Sequence, residues 1–166
     1  GLLTRIDTTT LSVTGASPLA AVMSPYSSTN GRGIPNYLGS LATSPDATQI
    51  FIPSKKDNIF RGMMTDGLPL TFEFAVRSAA TRLDLTTDSE DATQRIDFDN
   101  SDFANAVAFS PLGNQMFFTT SGSATIWAVD AYDTSTAYTF DAGGEAPDGL
   151  VTNSDGSRLY IHNFMD

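Results

Sequence analysis

His162 is the only histidine among 166 residues, and its ring is suited to proton transfer near neutral pH. With a carboxylate beside it, such a ring serves as a general base; without one it is a structural or exposed side chain. The chain has nine Lys and Arg residues, and four of them, Arg32, Lys55, Lys56 and Arg61, fall in two short segments together with Asn58. Clustered cations of this kind suit a carboxylate, a phosphate group or an acidic partner surface. The competing reading is a solvated turn in which Lys55 and Lys56 pair with Asp57 and Asp66. The run Asp97-Phe98-Asp99-Asn100-Ser101-Asp102 starts like a calcium loop. It lacks the glycine at the sixth position and the glutamate at the twelfth, where Asp102 and Ala108 stand, so it reads as a polar link and no metal ligand is assigned.

Much chemistry is excluded by composition. There is no cysteine, and hence no disulfide, thiol nucleophile, Cys-ligated zinc or covalently attached haem within this chain. No cofactor is expected here. A Ser-His-Asp triad would have to recruit His162, and nothing in the sequence places a serine beside it. There is no glycine-rich phosphate loop, HExxH or metal-spaced histidine pair, and no catalytic residue is assigned. The formal net charge of −10 disfavours nucleic acid as a partner. No run of about 18 apolar residues suggests a membrane span.

The elements that must position these residues are written as a repeat. Ser44-Pro45-Asp46-Ala47-Thr48-Gln49-Ile50-Phe51-Ile52 returns as Ser110-Pro111-Leu112-Gly113-Asn114-Gln115-Met116-Phe117-Phe118, and again as Asn153-Ser154-Asp155-Gly156-Ser157-Arg158-Leu159-Tyr160-Ile161. Each copy is a polar turn between two apolar runs. The last two start 43 residues apart, about the length of a four-stranded propeller blade. The run before each turn is an inner strand A (39–43, 105–109, 149–152), rich in small residues that suit a crowded centre. The run after it is strand B (49–52, 115–119, 158–162). Thr4-Arg5-Ile6-Asp7 matches Thr81-Arg82-Leu83-Asp84, with Ile126-Trp127-Ala128-Val129-Asp130 as a looser third copy. Their alternation marks strand C, and each closing Asp starts a turn. Strand D follows at 94–98 and 137–140.

The expected fold is all-β, a β-propeller segment of four-stranded antiparallel blades. It is expected to run as a half-blade at 2–16, a blade at 38–99, a blade at 103–142 and a half-blade at 147–166. Two full blades and two half-blades are fewer than a closed propeller needs, and a terminal B strand leaves an open edge. Three outcomes stay open. The chain is a fragment of a longer propeller; or it dimerises, A and B of one copy completing C and D of another; or it forms an open arc.

The repeat is interrupted twice. Ser110 and Asp130 are 20 residues apart, whereas Ser44 and Asp84 are 40 apart, so an insertion lies between B and C within 55–74. A second lies before the first A strand within 23–37. In an A-B-C-D blade both emerge on one face, and insertions in repeats often build the binding face. The candidate face therefore carries Arg32, Lys55, Lys56, Asn58, Arg61 and His162. Met63 and Met64 beside Leu68-Pro69-Leu70 are expected to pack within their loop, a soft contact surface being the alternative.

The turns and B strands, with Gly144-Glu145-Ala146-Pro147-Asp148-Gly149-Leu150, resemble the YVTN-type bacterial β-propellers. Residues 52–62 and Asn163-Phe164-Met165-Asp166 resemble propeller segments of large bacterial proteins that also carry a c-type cytochrome, peroxidase-like region. The resemblance implies an exported protein, periplasmic or extracellular, with further blades and with haem in another part. Three functions are compatible: a non-catalytic binding or scaffolding module, a lactonase- or hydrolase-type propeller enzyme, and a structural surface-layer protein. The first is the expected one.

Overall fold

A computed structural model describes residues 1–23, 32–71 and 75–166. The expected loop Ser27–Gly33 lies mostly outside the described residues. The fold is all-β, built from several small antiparallel sheets. A first hairpin joins β1 (Leu2–Asp7) to β2 (Ser12–Pro18). The second sheet holds β3 (Ile34–Asn36), β4 (Ala42–Thr43), β5 (Gln49–Asp57), β6 (Val76–Asp84), β7 (Ser89–Glu90) and β8 (Ile96–Phe98). Here β3 and β4 both pair with β5, β5 with β6, and β6 with β7 and β8. The third sheet has four strands in sequence order: β9 (Ala104–Phe109), β10 (Gln115–Thr120), β11 (Thr125–Asp130) and β12 (Ala137–Asp141). A last hairpin pairs β13 (Pro147–Thr152) with β14 (Leu159–Asn163).

The sheets stack face to face. Phe51 of β5 meets Phe109 and Phe118 of the next sheet edge-on, at ring-centroid distances of 5.9 and 6.4 Å. Phe98 lies between Phe118 and Trp127, 5.0 and 5.3 Å away. With Ala80, Ile96, Val107, Met116 and Val129 these rings form one buried core between the second and third sheets. The inner strands converge as their small residues require. Ser40 bridges Ala106 in parallel, and a Cβ on Gly39 would collide with the Asn105 carbonyl. The Thr152 hydroxyl donates to the Phe109 carbonyl at 2.8 Å, tying the last hairpin to β9.

The repeated turns interlock from sheet to sheet. Gly113 and Gly156 have φ of +72°, a left-handed conformation that favours glycine. A Cβ on Gly113 would sit 3.2 Å from Cδ of Pro45, and one on Gly156 would sit 3.3 Å from Cδ of Pro111. The proline of one turn thus packs against the glycine of the next. Ala47 holds the same place in the first turn, with φ of +57°.

Aspartates build the turns at the other strand ends. Asp7 accepts from the Thr9 and Thr10 N–H groups, Asp84 from those of Thr86 and Thr87, and Asp130 from those of Tyr132 and Asp133. Hydroxyl and backbone donors, led by Ser44 at Asp46, Thr86 at Asp84 and Ser157 at Asp155, hold these three carboxyls below their ordinary 3.8. A carboxyl lowered on folding adds stability that is complete above its unfolded pKa and disappears as pH falls through the folded value.

Two outcomes follow. Gly113→Ala should lower unfolding stability by about 1–2 kcal/mol through left-handed strain and the Pro45 contact, while Ala47→Gly should not destabilise, as read by urea denaturation. Replacing Asp46, Asp84 and Asp155 together with Asn, which keeps an acceptor oxygen but no charge, should lower the urea midpoint at pH 7 and flatten its further loss below pH 5, because the stability added by the ionised carboxyls is then absent at every pH.

Candidate functional site

The B–C insertion is shorter than its spacing suggests, because strand pairing runs into it. β5 and β6 stay in register from Gln49↔Asp84 to Asp57↔Val76. Lys55 and Lys56, expected in a loop, are therefore strand residues that point to opposite faces. Lys56 is 1% exposed and forms an ion pair with Asp97. Burial pushes its amine below the ordinary 10.5, and Asp97 opposes that shift. Beside it Arg77 pairs with Asp99 at 2.9 Å, and Arg95 pairs with Glu90. The acidic run that resembles the start of a calcium loop thus serves this chain's own cations. Its last member, Asp102, accepts from the Gly122 and Ser123 N–H groups.

The other predicted residues divide. Asn58 is buried, and its side-chain oxygen accepts from the Phe60 N–H, so it shapes a turn. Lys56 and Asn58 are corrected from surface binders to structural residues, since neither is accessible. Lys55 pairs with Asp57 at 3.2 Å and lies 4.1 Å over the Tyr37 ring. Arg61 donates from Nε to the Pro69 carbonyl at 3.1 Å. Arg32 and Arg61 both act on Asp66, whose carboxyl is lowered first by the Gly62 N–H. The cations of this region are thus engaged with carboxylates and carbonyls of the chain itself.

His162 stands further along the same face, 68% exposed, with Nδ1 2.7 Å from an Asp148 carboxylate oxygen. The hairpin brings them together, for His162 lies opposite Gly149 on β13.

What connects these positions is aromatic. Tyr37, under Lys55, stands edge-on to Phe103 at 6.4 Å. Phe103 lines a cleft of about 290 Å3 with Asn105, Ser121, Ala146, Asp148 and Phe164. Tyr37 and Phe164 are both exposed, as are Ile59, Met63, Leu68 and Leu70 of the loop after β5, and Met64 is 99% exposed. The methionines are exposed rather than packed within their loop as expected. Charge patterning does not single out Tyr37, Phe103 and Phe164. Their signal was present as aromatics in an insertion, in a D-to-A link and just beyond a B strand.

No family model matches the sequence, and no curated protein matches it. Among solved structures the fold is similar to hydrazine synthase of Kuenenia stuttgartiensis, with a TM-score of 0.68 at 11% identity over 96% of this chain and 47% of that one. It is similar also to a putative 6-phosphogluconolactonase from Bacteroides uniformis, with a TM-score of 0.58 at 13% identity over 96% of this chain and 43% of that one. These are propeller-like folds, and the likeness shows the fold alone. The chain spans under half the length of either structure.

Breaking the buried pair tests whether Lys56 is structural. Asp97→Ala should cost about 3–5 kcal/mol by leaving the ammonium unpaired, whereas Lys56→Met with Asp97→Leu should cost clearly less in the same denaturant titration. Equal losses would contradict the assignment.

Proposed function

We propose that this chain is a propeller-type binding module that engages a protein partner through its link face, and that the contact is apolar and aromatic. The observation that carries this reading is the aromatic cluster in which Tyr37 meets Phe103 and Phe103 lines one cleft with Phe164, with Tyr37 and Phe164 both exposed. Exposed aromatic surface of this kind on a chain of net charge −10 supports an interaction surface. The alternative of capturing an acidic partner through a basic patch loses support. Lys55, Lys56 and Arg61 already meet Asp57, Asp97 and the Pro69 carbonyl. In this proposal the module sits in a larger exported protein of YVTN-like type. Any covalently attached haem belongs to another part, since the chain has no cysteine.

One observation favours a second reading. His162 lies within ion-pair distance of Asp148, which lines the cleft, and a general base needs such an imidazole beside a carboxylate. It would activate water for attack on an ester or lactone carbonyl. The described contacts of His162 and Asp148 include no nucleophilic side chain, so the attacking group would be water.

Two assays separate the readings. Peptides selected from a displayed random library should be rich in aromatic and aliphatic residues. Tyr37→Ser and Phe164→Ser should each weaken them about tenfold or more, while circular dichroism stays unchanged. Selected peptides that bind both variants as well as the wild type would overturn the binding assignment. Simple lactones should be hydrolysed at the same background rate by wild type and His162→Ala; a rate lost only in the variant would establish the hydrolase.

A further inference from the structure

The second and third sheets meet in a groove at their turn ends, opposite the link face and away from the first and last hairpins. Ser44, Pro45 and Asp46 of the first repeated turn line one side. Leu112 of the second turn and Tyr132 of the turn after β11 line the other, with Phe109 between. The groove encloses about 100 Å3, room for a small head group rather than for a whole cofactor.

One carboxylate in this groove has an oxygen to spare. The Ser44 hydroxyl donates to Asp46 Oδ1 at 2.5 Å, the Thr48 N–H at 3.1 Å and the Thr48 hydroxyl at 2.9 Å. All three bonds that shape the turn fall on Oδ1, and Oδ2 receives none of them. These bonds, that from Ser44 first, hold the carboxyl below its ordinary 3.8, so Asp46 is ionised at neutral pH. No Lys or Arg lines the groove among the described residues. Leu112 is 85% and Tyr132 84% exposed, large side chains left in water at its rim.

An anion beside an uncovered phenol ring and an aliphatic side chain suits a cation on an apolar stem. We infer that this groove receives a basic side chain of a partner protein, arginine above all. The guanidinium meets Asp46 Oδ2 and the Tyr132 ring, and its methylene stem lies on Leu112 and Pro45.

The next repeat provides a contrast within the same chain. Ser110, Gln115, Thr152 and Gly156 line a second groove, at the places that Ser44, Gln49, Phe109 and Gly113 hold in the first. There Leu112 stands at the position of Asp46, no carboxylate lines the groove, and Arg158 adds a cation of the chain's own. A basic side chain is repelled from that groove. The scaffold is repeated while the charge is not, which makes the first groove selective. This inference concerns the turn end of the sheets and does not depend on the aromatic cluster of the link face.

The probe is acetyl-Gly-Arg-Gly-amide, titrated at low salt into the whole 166-residue chain and followed by backbone amide chemical shifts. The N–H signals of Thr48, Gly113 and Tyr132 should move together. The citrulline analogue, neutral and of the same shape, should move them far less. Asp46→Asn keeps the Oδ1 acceptor that the turn needs, and Tyr132→Ser alters an exposed ring outside the sheets. Each should weaken the arginine peptide about threefold to fivefold and leave the rest of the spectrum unchanged. Unweakened binding by either variant, citrulline binding as tight as arginine, or a peptide that moves none of the three signals overturns the inference. Shifts of equal size at the turns of Asp7 and Asp155 would mean diffuse attraction to an acidic chain, and would overturn it too.

Discussion

The second and third sheets bury an apolar face against each other, and that constraint organises the rest. Apolar faces of this size cannot stay in water at acceptable cost, so the two sheets must stack. Phe51 looks forward from the second sheet and Phe118 looks back from the third, and their contact with Phe98 and Phe109 fills the space between. The interlocked turns, Pro45 on Gly113 and Pro111 on Gly156, set the spacing at one end of that sandwich. The convergence of Gly39 on Asn105 sets it at the centre.

The scaffold and the site use the insertions differently. Between β5 and β6 the added residues lengthen strand pairing, and the longer sheet buries Lys56 against Asp97. Only beyond Asp57 does the chain leave the sheet and display Ile59, Met63 and Met64. Charge in this region is engaged within the chain, and apolar side chains are what remains exposed. The His162–Asp148 pair lies at the far end of the same surface, where one hairpin brings a carboxylate from β13 to a ring on β14.

Local physics made much of the fold legible in sequence. The turn phrases declare themselves through Pro, Gly and Asp at fixed offsets, and the alternation of Thr81–Asp84 and Thr125–Asp130 gives strands directly. Long-range pairing was not legible. Pro53-Ser54-Lys55-Lys56 reads as the end of a strand because its apolar pattern stops. The ladder continues because β6 supplies partners more than 20 residues away. Lys56 looks like a surface residue until Asp97 arrives from β8 to neutralise it. For the candidate site the sequence singled out cations, and folding engages Lys55, Lys56 and Arg61 within the chain. Lysines and arginines stand out in an acidic chain, whereas Tyr37 and Phe164 come together with Phe103 and the cleft only through folding.

The account's central claim is that the surface from Tyr37 through Phe103 to Phe164 takes a protein partner. Amide hydrogen exchange with and without an aromatic-rich peptide selected from a displayed library tests it most directly. The account predicts that exchange slows around Tyr37, Phe103 and Phe164 when the peptide binds, while the second and third sheets are unchanged. Slowed exchange elsewhere, with these three positions unaffected, would contradict it.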